Sequence, residues 1–276
     1  MVANHQPAGS QINLAPGRKN IMPSLLCAHI PLPRLSEYRS YLLDSRINPE
    51  IYIPSESLDS LDIGQLKLFA SDLKSAGLSC TIHATFMDLN PGSVDCTVRE
   101  CTRRRVQQTF EAGSILKPRV IVFHPGYSRL SYGSAVDIWV DNSISFWRDF
   151  TDSAHDIGTN IAIENIFEEE PSTIRRVLEG IDDPAAGHCF DTGHFNMFST
   201  VSMEQWFEEL GRFIFEAHLH DNHGKADEHL PVGEGEIDFE LVTSLLNQLS
   251  PDAVWTLEAH SRERLERSMR NIKKYL

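Results

Sequence analysis

Eight strand-sized apolar runs, each followed by a segment with helical spacing, predict an α/β chain closed into a single (β/α)8 TIM barrel. Two further observations agree. The chain has 276 residues, close to the ~250 typical of one such barrel. No Gly-rich phosphate turn follows an early strand, as a doubly wound sheet would want. The predicted strands are residues 21–26, 50–53, 79–84, 119–124, 160–164, 187–191, 214–220 and 254–258. Each is short and rich in Val, Ile, Leu or Phe, because a parallel strand in a barrel is buried on both faces.

The elements follow in order. Strand 21–26 leads to a helix over 32–45. Strand 50–53 leads to a helix over 61–76, with Leu66, Phe69, Ala70 and Leu73 on one stripe and Gly77 as its stop. Strand 79–84 precedes a long helix over 94–116, in which Arg103, Arg104 and Arg105 read as a solvated face. Strand 119–124 precedes a helix over 135–156 that carries Trp139, Ile144, Phe146, Trp147 and Phe150. Strand 160–164 precedes a helix over 172–179, opened by Pro171 and Ser172. Helices over 203–210, 239–249 and 262–276 follow the last three strands, with Gly233 and Gly235 as turn glycines before the second of them. Residues 1–20, polar and rich in Gly, Pro and Asn, read as a flexible leader, and 21–276 as the barrel domain.

Composition narrows the partners. Lys plus Arg total 25 and Asp plus Glu 39, a net charge of −14. That argues against a dedicated polyanion-binding surface. No run approaches the ~18 apolar residues of a membrane span, so no membrane partner is expected. Five cysteines occur without a CxxC pair, three of them in strand-like runs. Reduced, buried thiols in a cytoplasmic protein are the plain reading.

The unusual feature is twelve histidines. A TIM barrel builds its active site at the C-terminal ends of its strands. His83 stands there in CTIHA, His124 in VIVFHPG, Glu164 in IAIEN, and Asp191 with His194 in CFDTGH. His218 follows in EAHLHDN, with Asp227 and His229 in the next loop, GKADEHLP, and Glu258 in WTLEAH. Singly, each has a plain reading. A strand-end histidine is usually hydrogen-bonded within the core. Asp191, before Thr192 and Gly193, could cap the next helix, and Glu258 could pair with an arginine. Jointly, five imidazoles and four carboxylates exceed the needs of one tetrahedral ion and suit two or three. Converging carboxylates repel one another, and bound cations remove that repulsion. The imidazoles favour Zn²⁺, with Mn²⁺ and Co²⁺ as alternatives. His220 and Asp221 are candidates to orient a ligand imidazole. His223 reads as a loop residue and Lys225 as a surface lysine, while His29, His155, His188 and His260 show no partner pattern.

These stretches, together with IHATFMDLNPGS, IAIENIFEE, CFDTGHFNMF and HLHDNHGKADEHLPVGEGEIDF, resemble the xylose isomerase-like TIM barrels. That superfamily also holds endonuclease IV, and the resemblance runs over about residues 21–258. Carried over from endonuclease IV, it implies that His83, His124 and Glu164 hold a first ion. Glu164 bridges to a second, completed by Asp191, His218 and Glu258. His194, Asp227 and His229 hold a third. The sugar epimerases of the superfamily imply a smaller set, with one ion on Glu164, Asp191, His218 and Glu258 and the two glutamates moving the proton. Loops matching those with which the nuclease enters DNA are missing, which disfavours DNA. The implied substrate is a small sugar or phosphorylated molecule. The expected reaction is phosphoester hydrolysis, with sugar or sugar-phosphate isomerisation or epimerisation through Glu164 and Glu258 as the alternative.

Overall fold

The computed structural model describes residues 23–276; the leader expected over 1–20 and the first two residues of the predicted strand 21–26 lie outside them. Eight parallel strands close into a barrel in sequence order. They are β1 (Leu25–Pro31), β2 (Asn48–Tyr52), β3 (Thr81–His83), β4 (Val120–Phe123), β5 (Asn160–Glu164), β6 (Ala186–Asp191), β7 (Ile214–Leu219) and β8 (Val254–Leu257). The pairing of β1 with β8 closes the ring. Helices Leu35–Ser45, Ile63–Ala76, Cys96–Leu116, Val136–Ile157, Ser172–Ile181, Met203–Leu210, Phe239–Leu249 and Arg262–Asn271 lie one after each strand. The (β/α)8 prediction is therefore met.

Local chemistry sets the helix ends. The carboxylates of Asp62, Asp95 and Asp238 accept from the amides of Gln65, Thr97 and Leu241. The hydroxyls of Ser202 and Ser261 do the same for Gln205 and Arg264. Gly77 stops its helix at φ 64°, in the left-handed region that favours glycine. The last helix is shorter than predicted, ending at Asn271 before a 3-10 turn over Ile272–Lys274.

One strand differs from its prediction in a way that matters. β1 begins at Leu25 and runs to Pro31, beyond the expected end at Leu26. Cys27 to Pro31 pair in register with Asn48 to Tyr52, so ladder hydrogen bonding overrides a weak local pattern. A short helix, Thr192–Phe198, also follows β6 directly.

The two-residue period of a strand sorts the side chains. Cys27, Val120, Val122, Ala162, Cys189 and Val254 form an apolar cluster of their own inside the barrel. Residues of opposite parity, such as Ile82, Ile121, Ile161, Ile163, Phe190, Ala217, Trp255 and Leu257, join the larger core under the helices. Stepping two residues at a time from Cys27 leads to His29, from Ala162 to Glu164, from Cys189 to Asp191, and from Val254 through Thr256 to Glu258. Barrel parity thus aims one layer of strand-end side chains at a common axis.

Candidate metal centre

The nine predicted donors converge, and Glu164 sits at their middle, 1% exposed. Its Oε2 is 3.3 Å from Nε2 of His83 and 3.3 Å from Nε2 of His124. Its Oε1 is 3.2 Å from Nδ1 of His194 and 3.5 Å from Nδ1 of His218. The two oxygens of one carboxylate therefore face two separate imidazole pairs. His218 Nδ1 also lies 3.4 Å from Glu258 Oε1 and 3.8 Å from Asp191 Oδ2. Farther out, Asp227 Oδ2 is 2.9 Å from His229 Nε2 and 3.7 Å from His194 Nε2.

Buried polar atoms test whether these residues fit metal ions. Glu164 Oε2, His218 Nδ1, His220 Nδ1 and His229 Nδ1 are buried and make no hydrogen bond. Leaving such atoms unsatisfied is costly. Glu164 Oε2 is near two imidazole nitrogens yet bonded to neither, as expected of donors aimed at a shared point. Three-residue groups of suitable donors include His83, His124 and Glu164; His83, His218 and Glu258; and His220, His229 and Glu258. The donor set suits Zn²⁺ and other borderline divalent ions.

Charge balance gives the same result. Burial pushes the carboxyls of Glu164, Asp191 and Glu258 up, but neighbouring imidazoles outweigh it and hold all three below their ordinary range. Burial opposes a charged His194, yet Asp191, Asp227 and Glu164 push it up to about 12. His83 is pushed up to about 9, as the attraction of Glu164 overcomes burial. His124 is lowered, with burial as the main cause. Without ions, the raised His83 and His194 are the groups that offset these carboxylates.

Asp191 combines both readings given to it. Its Oδ1 caps the helix Thr192–Phe198 by accepting from the His194 amide at 2.7 Å, while the same carboxylate stays at the centre. His220 touches both kinds of donor. Its Nε2 lies 3.0 Å from Asp191 Oδ2, and its ring stacks on that of His229. It packs so close to Gly193 that a Cβ there would overlap the ring. Asp221 serves the loop, accepting from the amides of Asn222, Gly235 and Ile237.

The other histidines divide by parity. His188, one of the residues facing away from the barrel axis, bonds the Ile163 carbonyl through Nδ1 and accepts from Trp206 Nε1. His155 meets Asp183 at 3.0 Å and His223 meets Glu228 at 2.8 Å, both on exposed loops or helix ends. His260 stacks on His229, which stacks on His220, with ring centres 4.2 and 4.0 Å apart.

His29 and Glu50 were missed. His29 lines the cavity, and its Nδ1 lies 2.6 Å from Glu50 Oε2 and 3.4 Å from Glu258 Oε1. The end of LLCAHIP held the signal, because His29 shares parity with Cys27 once the strand is extended. Below this layer, Glu216 accepts from Thr81 Oγ1 at 3.1 Å and from Thr256 Oγ1. Burial, then the Glu50 charge, push its carboxyl up to about 8.

Above the centre opens a cavity of about 800 Å³. Phe86, Met87, Phe167 and Phe198 line it, and Arg34 is its only Lys or Arg among the described residues. That guanidinium is bound to Glu37 at 2.9 Å. Phe86 stacks on His124 with ring centres 4.2 Å apart.

Glu168 lies in the loop after β5, 3% exposed. Its Oε2 accepts from the Ile166 amide at 2.7 Å and its Oε1 has no partner. Burial pushes its carboxyl up to about 7. A raised folded pKa means the folded state holds its proton longer, so stability falls as pH rises from about 4.5 to about 7. Glu168→Gln is therefore expected to raise Tm by a few degrees at pH 8, a gain of up to ~3 kcal/mol that vanishes near pH 4. Thermal melts of both proteins across that range check it, and an equal Tm at pH 8 refutes it.

The fold and this rim define a class, a (β/α)8 barrel with a histidine–carboxylate centre at the C-terminal ends of its strands. The chain belongs to the xylose isomerase-like TIM barrel family, which matches residues 50–275. It is 31% identical over 202 residues to an uncharacterised protein of Methanocaldococcus jannaschii, covering 71% of this chain and 69% of that one. It is 26% identical over 193 residues to a probable endonuclease 4 of Mycobacterium ulcerans, covering 63% and 71%. A solved D-tagatose 3-epimerase-like protein superposes with a TM-score of 0.73 at 28% identity, covering 83% of this chain and 87% of that one. All five cysteines are free. No described helix is long and apolar enough to cross a membrane.

Proposed function

We propose that this chain is a divalent-metal-dependent hydrolase of phosphoesters, acting on a small substrate of sugar-phosphate type. One observation carries the reading. The two oxygens of Glu164 face different imidazole pairs, and His194 extends the array to Asp227 and His229. One ion does not use such a set. His83, His124 and Glu164 would hold the first ion, Glu164, Asp191, His218 and Glu258 the second, and His194, Asp227 and His229 the third. Bound there, divalent ions, most suitably Zn²⁺, make hydroxide available near neutral pH and offset charge on phosphoryl oxygens. The chain's own residues hold the carboxyls of Glu164, Asp191 and Glu258 below their ordinary range and set the centre beneath a mouth lined by Phe86, Met87, Phe167 and Phe198. The likeness to the probable endonuclease 4 supports this reading. DNA is disfavoured, because among the described residues Arg34 alone brings a Lys or Arg to the cavity lining. Free thiols, three of them buried, suit the cytoplasm.

A second reading has its own support. Glu164 and Glu258 both flank His218 Nδ1, at 3.5 and 3.4 Å. In a sugar isomerase or epimerase these two carboxylates would remove and return the proton. The epimerase-like structural relative favours it.

Elemental analysis of protein purified without chelator, followed by phosphodiester, phosphomonoester and ketose panels, separates the two. Two or three ions per chain and phosphoester turnover support the hydrolase. One ion with ketose turnover overturns it. His194→Ala is expected to lower phosphoester turnover ~100-fold or more through loss of the third ion, and to affect a single-ion epimerase much less.

A further inference from the structure

Glu50 is fully buried inside the barrel, on β2. A carboxylate in that position is costly unless both oxygens are satisfied. Here both are. Oε1 accepts from Nε2 of His218 at 2.9 Å, and Oε2 from Nδ1 of His29 at 2.6 Å. His29 is its register partner on β1, while His218 belongs to β7 and is reached across the barrel. With Nε2 committed to Glu50, Nδ1 is the nitrogen of His218 left facing the centre. That atom is buried, makes no hydrogen bond, and faces Glu258, Asp191 and Glu164.

We propose that Glu50 is a positioning residue that holds two imidazoles at once. It sets the Nε2–H tautomer of His218, so that Nδ1 is the metal donor, and it fixes His29 with its free edge toward the cavity. A carboxylate behind a ligand imidazole orients the ring and raises its basicity. The inference rests on the metal centre proposed above.

Glu50→Gln tests it with little change of shape. The amide offers one acceptor oxygen where two imidazoles each need one, and its NH₂ confronts the other ring. Zinc affinity, measured by competition with a chromophoric chelator, is expected to fall ~10- to 100-fold, with the far-UV spectrum of the chelated form unchanged. Zinc binding by Glu50→Gln equal to that of the unaltered protein overturns the inference and leaves the metal centre standing. Failure of the unaltered protein to bind zinc overturns the centre itself. If Glu50→Gln does not fold, long-range ¹H–¹⁵N spectra of the unaltered protein decide. In the zinc-loaded protein, a proton on His218 Nε2 and none on Nδ1 supports the inference; a proton on Nδ1 overturns it.

Discussion

Replacing Glu164 by Gln is expected to lower turnover by ~10³-fold or more, a loss of ~4 kcal/mol of transition-state stabilisation. Gln keeps the shape and removes the charge. It also turns an NH₂ donor toward one of the two imidazole pairs that the carboxylate faces. If the centre holds several ions, the bridge between two of them is lost. If it holds one, an acid–base group is lost. Steady-state kinetics on whichever substrate is turned over, paired with metal analysis, makes the check. Turnover retained at the unaltered level would falsify both readings of the reaction. Metal analysis separates them further, since loss of more than one ion per chain is expected only of a bridged site.

Removing metal is expected to lower Tm by roughly 10 °C. An ion present at 1,000 times its Kd adds ~4 kcal/mol to folding stability, and in a chain this long each kcal/mol moves Tm by ~2–4 °C. The difference should widen with pH. In the metal-free protein His83 is pushed up to about 9 by Glu164, against burial. A raised histidine pKa contributes stability that is complete below about 6.5 and is lost as pH climbs through about 9. The chelated form therefore weakens over that window. The loaded form does not, because its ligands are already deprotonated and protons no longer compete with the ion. Calorimetry of loaded and chelated protein at pH 6.5 and pH 9 tests this. Superimposed melting curves at both values count against an occupied centre.

Much of the site was legible because barrel geometry maps sequence position onto space. Once eight short apolar runs are placed, the residue ending each run belongs to one rim, and His83, His124, Glu164, Asp191, His218 and Glu258 follow. His194 and the Asp227–His229 pair were legible from their motifs. His188 shows what parity adds, since it sits within β6 but turns outward to Trp206. Individual alternatives were also resolved by contact. Asp191 is a helix cap and a member of the centre together, a combination that residue-by-residue reading treats as a choice.

Local sequence determined the strand count, the helix order, most helix ends and nine candidate donors for one rim. It could do so because two-residue and 3.6-residue periods are properties of a short segment. Only the tertiary structure decided which donors share a neighbour, that Glu164 divides its oxygens between two imidazole pairs, and that β1 extends far enough to bring His29 into the cavity. Glu50 is the clearest case. Nothing in NPEIY distinguishes a buried carboxylate from a solvated one. Its part depends on the register with β1 and on a histidine 168 positions away across the barrel. A contact between such distant residues is written in no local period. It exists only when the sheet closes and the cost of burying a charge makes each remaining partner matter.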